Sequence, residues 1–272
     1  MTLARPPMAR LTSALAALAA AVGVAAGPAA PPALAADRWT GGTASTVGRI
    51  IWDAGNGQLG YCSGAIVDAP NGSVVATAAH CLRTPDHPSP PADAWFVPAY
   101  DHGLSSYQRD GWRITAHHTP EEWDVSREMP AILPHDYAFV TVEEKDGRTI
   151  QERHGANRLA FEPVPEGEDV QVLGYPAVEP YDGESLRYCA GVTTVLREGQ
   201  AEAANAGGLL LENCDLTAGS SGGPWLTGFD PATESGTVVA VMSVGSGKGH
   251  VVGRPFPATA RTLLERAGAP AS

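Results

Sequence analysis

The chain has 272 residues, of which 43% are hydrophobic and 18% are charged, and its formal net charge is −12 at pH 7. This composition is too apolar for a disordered chain and supplies enough apolar side chains for one large domain or two small ones. The excess of negative charge, with no basic stripe to offset it, argues against binding to nucleic acid.

The first residues are typical of a secretory signal peptide. Arg5 and Arg10 precede an Ala- and Leu-rich run over residues 11–26, and an Ala-Leu-Ala sequence ends at Ala35. We predict that residues 1–36 are this signal peptide and that the mature protein is secreted and extracellular. A retained membrane anchor is the weaker alternative, because a spanning helix needs about 20 apolar residues. We therefore expect no membrane association once the signal peptide is removed.

The region from Thr40 to Val252 contains many short apolar runs separated by Gly, Pro, Asn and Asp. This pattern is typical of short strands and predicts a mostly β fold, either a barrel or a sandwich. The clearest predicted strands are residues 49–52, 63–67, 73–77, 94–97, 137–142, 170–173, 207–211 and 237–243.

Three other segments are not predicted to be strands. Residues 83–92 are rich in proline, which has no backbone N–H to pair with a neighbouring strand, and they predict a surface loop. Residues 143–160 are charged and have little β character, and we interpret them as the connection between two halves. Residues 258–266 contain Leu263 and Leu264 among helix-forming residues and predict a short C-terminal helix.

Four cysteines, Cys62, Cys81, Cys189 and Cys214, occur without the spacing of a zinc site. Disulfides are their expected state in an exported protein. Three pairings are possible from the sequence, although two early and two late cysteines favour one bridge in each half.

A glycine-rich sequence near the C-terminus surrounds Ser221. Gly219 and Gly223 lie two residues before and after it, which permits a tight turn whose backbone N–H groups converge on one point. Only Ser221 has glycine at both of these positions, so the neighbouring Ser220 is the weaker candidate nucleophile. An ordinary Gly/Ser-rich loop is the alternative when the motif is taken alone.

A second motif, Thr-Ala-Ala-His-Cys, contains His80 at the end of an apolar predicted strand. A histidine at a strand end beside a cysteine can be held by a disulfide and face a cleft, although a packed histidine is the ordinary alternative. The combination of this motif with the later serine motif favours a catalytic role.

The two motifs, in this order, resemble those of the chymotrypsin-like (trypsin-like) serine peptidases, especially their secreted bacterial branch. The resemblance covers nearly the whole mature chain. It includes residues 61–67, which are similar to the family's strand before the histidine, and Asp136, which opens an apolar strand. The fold that it implies is all-β, with two six-stranded antiparallel β-barrels, to which the predicted C-terminal helix is added.

The resemblance also implies how the chain is divided. The N-terminal barrel would lie in residues 37–150 and carry the histidine and the aspartate, and the C-terminal barrel would lie in residues 151–272 and carry the serine. The disulfides implied are Cys62 with Cys81, which leaves Cys189 with Cys214.

A serine hydroxyl becomes an effective nucleophile only when a base removes its proton. The residue types and the resemblance assign Ser221 as nucleophile, His80 as general base and Asp136 as the acid that orients the imidazole. The backbone N–H groups of Gly219 and Ser221 would form the oxyanion hole. The rival candidate acids are Asp93, Asp101, Asp110 and Asp124.

The predicted substrate-binding residues are Asp215, Ser243 and Gly245. Asp215 lies six residues before Ser221, which is the offset of the acid that binds Arg or Lys in trypsin-like enzymes. The other two resemble the strand that lines this pocket. The preceding cysteine departs from the trypsin-like spacing, and the alternative is that Asp215 only hydrogen-bonds backbone amides. Glutamate specificity is less favoured, because Met242 stands where a histidine is expected.

Ser220 occupies the position where trypsin-type enzymes carry an aspartate that pairs with a new N-terminal ammonium. A serine brings no charge, and an ammonium buried against it would be uncompensated. We therefore predict a preformed oxyanion hole held by other contacts. The candidate contacts are the turns at Gly219 and Gly222 and the bridge between Cys189 and Cys214.

These features predict an active endopeptidase that cleaves proteins or peptides as a monomer, without a cofactor or a metal. His117 and His118, followed by Glu121 and Glu122, lack the spacing of a helical zinc protease and predict a solvated loop. The main alternative is a catalytically silent protease fold used as a binding module. An α/β-hydrolase is disfavoured, because its catalytic residues would follow the order Ser, acid, His.

Overall fold

The computed structural model of the protein describes residues 36–40, 44–100 and 107–270, all of which belong to one compact unit. The predicted signal peptide lies outside the described residues except for Ala36. No helix in the described ranges is long and apolar enough to cross a membrane.

Six strands of the N-terminal half close into an antiparallel barrel. The first seven strands among the described residues are β1 (Asp37–Arg38), β2 (Val47–Gly55), β3 (Gln58–Val67), β4 (Val74–Thr77), β5 (Ala94–Pro98), β6 (Trp112–His118) and β7 (Ala138–Val142). The barrel has the order β2-β3-β4-β7-β6-β5. Its interior is filled by fully buried apolar side chains such as Ile50, Ile66, Phe96 and Val140, as the apolar runs of the sequence predict.

The C-terminal half contributes eight strands to a second sheet. They are β8 (Arg158–Leu159), β9 (Asp169–Gly174), β10 (Arg187–Val192), β11 (Thr194–Val195), β12 (Leu209–Glu212), β13 (Pro224–Asp230), β14 (Ser235–Gly245) and β15 (His250–Pro255). The order is β1-β10-β9-β13-β14-β15-β12-β11, and β8 pairs with β14 in parallel.

The fold-class prediction is confirmed in its main features, because the described chain is mostly β, with a closed six-stranded barrel, a second sheet and a short C-terminal helix. The second sheet differs in having nine strands, because three two-residue strands are added to six longer ones: β1 pairs with β10, β8 with β14 and β11 with β12. Such short additions satisfy N–H and C=O groups that a sheet edge would otherwise leave open. The division of the chain at residue 150 stays a prediction.

The helices are short. They are α1 (Tyr107–Asp110), α2 (Met129–Ile132), α3 (Ile150–His154) and α4 (Ala260–Ala267), with 3₁₀ turns at Ala79–Cys81, Leu133–His135 and Ala203–Asn205. Helix α4 is the predicted C-terminal helix. Helix α3 lies inside the segment predicted as a plain connection, and it begins with a capping box in which Thr149 and Glu152 bind each other's backbone N–H groups.

The two ends of the described chain each pack on the opposite half of the molecule. Strand β1, at the start of the chain, pairs with β10 of the second sheet. Helix α4, at the end of the chain, packs on the first barrel, where Asn71 Nδ2 and Thr141 Oγ1 donate to the carbonyl of Ala267 at 2.9 and 3.0 Å. Between the halves, Phe139 stacks on Phe256 with ring centroids 5.7 Å apart.

The structure contains the two disulfides that the resemblance implies. Cys62 on β3 is bonded to Cys81 in the turn after β4, and Cys189 on β10 is bonded to Cys214 after β12. The first bridge therefore holds the turn that contains His80 against a barrel strand.

Candidate active site

His80 lies in the 3₁₀ turn that follows β4, and it is bound twice by Asp136. Its Nδ1 lies 2.7 Å from Asp136 Oδ2, and its backbone N–H donates to Asp136 Oδ1 at 2.9 Å. A donated Nδ1–H leaves Nε2 with a lone pair, which is the tautomer that a general base requires. The side chain is 21% exposed, so its other edge reaches the cleft.

Asp136 is fully buried between a 3₁₀ turn and β7, and a third group holds it. Ser243 Oγ donates to Asp136 Oδ2 at 2.5 Å. Burial alone would raise the pKa of Asp136, but the charge of His80 and the hydrogen bonds from His80 and Ser243 outweigh it, and the pKa is lowered. Burial would lower the pKa of His80, but the charge and hydrogen bond of Asp136 raise it above 6.5.

Ser221 lies in the turn before β13, and this turn packs on the strand end that leads to His80. Gly222 has φ +79°, and a Cβ there would lie 2.8 Å from the backbone nitrogen of Ala78. The backbone N–H of Ser63 donates to the carbonyl of Ser221 at 2.7 Å. The serine and histidine motifs, far apart in the chain, therefore meet across the two halves.

The hydroxyl of Ser221 makes no hydrogen bond to any residue that the structure describes. Catalytic hydrogen bonds in enzymes are often long without substrate and tighten when substrate binds. The backbone N–H groups of Gly219 and Ser221 are likewise without acceptors in the described part of the chain. Two such free donors in one glycine turn can bind a developing oxyanion.

A cleft of about 320 Å³ opens beside His80. One wall comes from the end of β2, with Trp52 and Asp53, and the other from the Pro-rich residues 83–92, which form the predicted loop. The cleft therefore opens the region beside the imidazole to solvent.

The predicted substrate-binding residues have different surroundings. Asp215 is half-buried, and its carboxylate makes no hydrogen bond or ion pair with residues 36–40, 44–100 or 107–270, so the bonds to backbone amides that were the alternative interpretation are not found. Gly245 packs closely on the neighbouring segment, since a Cβ there would lie 2.9 Å from the carbonyl oxygen of Leu216. Ser243 is buried and its hydroxyl is used by Asp136, so that hydroxyl is not available to a substrate.

Two hydroxyl groups of the site were not singled out from the sequence in the roles they have. Ser63 contacts the Ser221 turn, and Ser243 binds Asp136. Both lie inside apolar predicted strands, and a buried hydroxyl requires a hydrogen-bond partner. That requirement is a signal that a partner exists, but the sequence does not identify it.

His117 and His118 lie on strand β6, which corrects the prediction of a solvated loop. The alternation of Trp112, Ile114 and Ala116 extends the strand to this pair. His118 Nε2 lies 3.2 Å from Thr141 Oγ1 on the neighbouring strand.

Within the described ranges, the one group of three side chains close enough to share a metal ion is Cys62, Cys81 and His80. Its two sulfur atoms form a disulfide and are not available as thiolate ligands.

Comparison with protein families gives one match. Residues 62–241 match the model of the trypsin-like peptidase domain. A search of curated proteins found no significant match.

Solved structures show the same relationship. The chain is 29% identical to the protease Anisep from Arthrobacter nicotinovorans, with a TM-score of 0.70 over 84% of this chain and 97% of the other. It is 30% identical to the thermostable serine protease AL20 from an extremophilic microorganism, with a TM-score of 0.69 over 83% of this chain and 97% of the other. A Glu endopeptidase shares the fold at 17% identity, with a TM-score of 0.60 over 83% of this chain and 91% of the other.

Proposed function

Because the chain belongs to the family of trypsin-like peptidases, we propose that it is a secreted serine endopeptidase that cleaves peptide bonds through an acyl-enzyme on Ser221. The observation that carries the proposal is the contact of His80 Nδ1 with the buried Asp136 at 2.7 Å, next to the turn that presents Ser221. A buried, ionised carboxylate on one side of an imidazole makes its other nitrogen a base.

In the proposed reaction, His80 Nε2 takes the proton of Ser221 Oγ as this oxygen attacks the carbonyl carbon of the substrate. Asp136 stabilises the imidazolium that forms. The N–H groups of Gly219 and Ser221 bind the negative oxygen of the tetrahedral intermediate. His80 then gives its proton to the leaving amine, and water hydrolyses the acyl-enzyme by the same sequence of steps.

Secretion is supported by two features. Residues 1–36 have the composition of a signal peptide. All four cysteines are in disulfides, which form and persist in oxidising compartments. Proteins or peptides outside the cell are therefore the proposed substrates.

The proposal is tested with the full chain, expressed with its own N-terminal segment and purified from the medium. A fluorophosphonate probe should label the folded protein at Ser221, and the protein should cleave casein. Ser221→Ala should abolish both, whereas the matched variant Ser220→Ala should keep both, because the Ser220 hydroxyl is buried and makes no hydrogen bond to any described residue. A folded protein without labelling or cleavage would instead support the silent binding module.

A further inference from the structure

The four carbonyl groups of residues 218–221, which we name the oxyanion turn, all accept hydrogen bonds. The donors are the N–H of Ala177 to Ala218 at 2.7 Å, the hydroxyl of Ser63 to Gly219 at 2.8 Å, the N–H of Gly223 to Ser220 at 2.9 Å and the N–H of Ser63 to Ser221 at 2.7 Å. Only one of these four bonds is local to the turn.

These bonds fix the direction of the two free N–H groups. In a trans peptide the C=O and the following N–H point to opposite sides. Because the carbonyls of Ala218 and Ser220 are held by donors, the N–H groups of Gly219 and Ser221 must point the other way, away from those donors. The turn is thus held in the shape that binding of an oxyanion requires.

Ser63 makes the largest contribution from outside the turn. It is fully buried on β3, and its N–H and hydroxyl donate to two carbonyls of the oxyanion turn. Its Oγ also accepts from the N–H of Tyr175 at 2.9 Å, and its own carbonyl accepts from Thr77 Oγ1 at 2.9 Å. Its hydroxyl therefore joins the oxyanion turn to the start of the segment that carries Ala177.

That segment, residues 175–186, is anchored to the first barrel by a buried charge. Arg49 on β2 is 1% exposed, and its Nη1 lies 3.3 Å from Glu184 Oε1. Tyr100 donates to Glu184 Oε2 at 3.0 Å. Burial, and then the bond to Glu184, raise the pKa of Tyr100 to about 12, so its hydroxyl stays protonated and donates over the working pH range.

Arg49 is also close to the residue that contacts the turn. A Cβ at Gly183 would lie 2.5 Å from Arg49 Nη2 and 3.0 Å from the Cβ of Ala177. Gly183 has φ +77°, which a residue with a side chain rarely adopts. Arg49, Gly183 and Ala177 therefore form a close-packed row that leads from the barrel to the carbonyl of Ala218.

We propose that Ser63 is a positioning residue for the oxyanion hole, and that the pair of Arg49 and Glu184 supports the same turn through Ala177. The inference rests on the proposed function. It also revises the sequence prediction of what holds the turn, because three of the four bonds come from Ser63 and Ala177. The Ser220 hydroxyl is buried without a partner among the described residues, so no charge at that position contributes.

The test compares Ser63→Ala with Ser45→Ala, which also removes a serine hydroxyl bonded to a backbone carbonyl, here that of His154 at 2.9 Å. For a peptide anilide chosen by library profiling, kcat of Ser63→Ala should fall about 10- to 100-fold, less than the 10²–10³ for loss of a whole oxyanion donor. KM should change less than about threefold, because ground-state binding does not use the oxyanion. A peptide aldehyde of the same sequence should lose affinity by the factor lost in kcat/KM.

A second variant keeps the test independent of folding at Ser63. Glu184 is partly exposed, and Glu184→Gln should lower kcat by about 3- to 10-fold with KM unchanged. Titration with the fluorophosphonate probe gives the concentration of folded sites in every sample, so kcat is expressed per active site.

The outcomes separate this inference from the proposed function. An active wild-type protein whose Ser63→Ala or Glu184→Gln variant keeps kcat within twofold of Ser45→Ala would overturn the inference alone. A loss confined to the number of titratable sites, with kcat per site unchanged, would overturn it as well. An inactive wild-type protein would overturn both the proposed function and the inference.

Discussion

Ser243 Oγ lies 2.5 Å from Asp136 Oδ2, the same oxygen that binds the imidazole of His80 at 2.7 Å. The carboxylate at the centre of the site thus accepts two side-chain bonds on one oxygen and a backbone bond on the other. These donors stabilise the buried carboxylate, because each one offsets part of the cost of removing its charge from water.

The first prediction concerns this bond. Ser243→Ala should lower kcat/KM about 3- to 10-fold, because a hydrogen bond to a charged group contributes roughly 1.5–3 kcal/mol, of which only part affects the reaction. Without the hydrogen bond from Ser243, the negative charge of Asp136 would stabilise the protonated imidazole of His80 more strongly. The acidic limb of the pH profile should therefore move to higher pH. Ser235→Ala, at the other end of β14, is the control. An unchanged pH profile in Ser243→Ala would contradict the prediction.

The second prediction concerns the pH dependence of activity. His80 must be neutral to act as base, and its pKa is raised by the charge and hydrogen bond of Asp136, against the effect of burial. The acidic limb of kcat/KM should therefore have its midpoint above 6.5. A midpoint below that value, measured with the wild-type protein, would be inconsistent with the pair.

The contribution of the His80–Asp136 pair to stability should fall as the pH rises, whereas the activity should rise. A group whose pKa is raised on folding stabilises the protein below its unfolded pKa, and this contribution is lost as the pH rises through the folded pKa. The difference in unfolding free energy between the wild type and Asp136→Asn should thus be larger at pH 5.5 than at pH 9. Urea unfolding at both pH values measures it, and an equal difference would argue against the raised pKa.

The third prediction is that the three proposed catalytic side chains act as one unit. Ser221→Ala, His80→Ala and Asp136→Asn should each lower kcat by about 10⁴-fold or more, with thermal stability retained in the two alanine variants. The kcat of the double variant Ser221→Ala/His80→Ala should be no lower than that of the less active single variant. If the two losses multiplied, the residues would not share one step.

The fourth prediction separates the two disulfides. Removal of either should cost about 2–5 kcal/mol in unfolding free energy. Replacing Cys62 and Cys81 by alanine should also lower kcat/KM of the remaining folded protein, because this bridge holds the turn of His80 and lies next to Ser63. The matched variant without Cys189 and Cys214 should mainly lose stability. Equal effects of both on kcat/KM would contradict the distinction.

The fifth prediction concerns specificity. Asp215→Asn should lower kcat/KM about tenfold or more for substrates with Arg or Lys before the cut bond, and leave other substrates unchanged, because its carboxylate has no partner among the described residues. Glu212→Gln, an exposed acid three residues earlier, is the control. Library profiling without enrichment of Arg or Lys would exclude the basic pocket.

Local patterns account for what the sequence predicts correctly. Runs such as residues 63–67 and 137–142 alternate or bury apolar side chains, so β3 and β7 are visible without a structure. The part that could not be predicted depends on distant partners. Ser63 meets Gly219 across 156 residues, and Ser243 meets Asp136 across 107, and no local pattern specifies either contact.

The exchange of chain ends described for β1 and α4 has a consequence for biosynthesis. Among the described strands β1 is synthesised first, but its partner β10 follows about 150 residues later, so the second sheet cannot be completed until most of the chain has been made. The first barrel waits in turn for α4, the last helix to emerge. Each half needs a segment of the other half to complete its native contacts. The final folding step therefore takes place after the whole chain has been synthesised and released. Cleavage of the loop at residues 143–147 would leave two fragments that remain associated through β1 and α4.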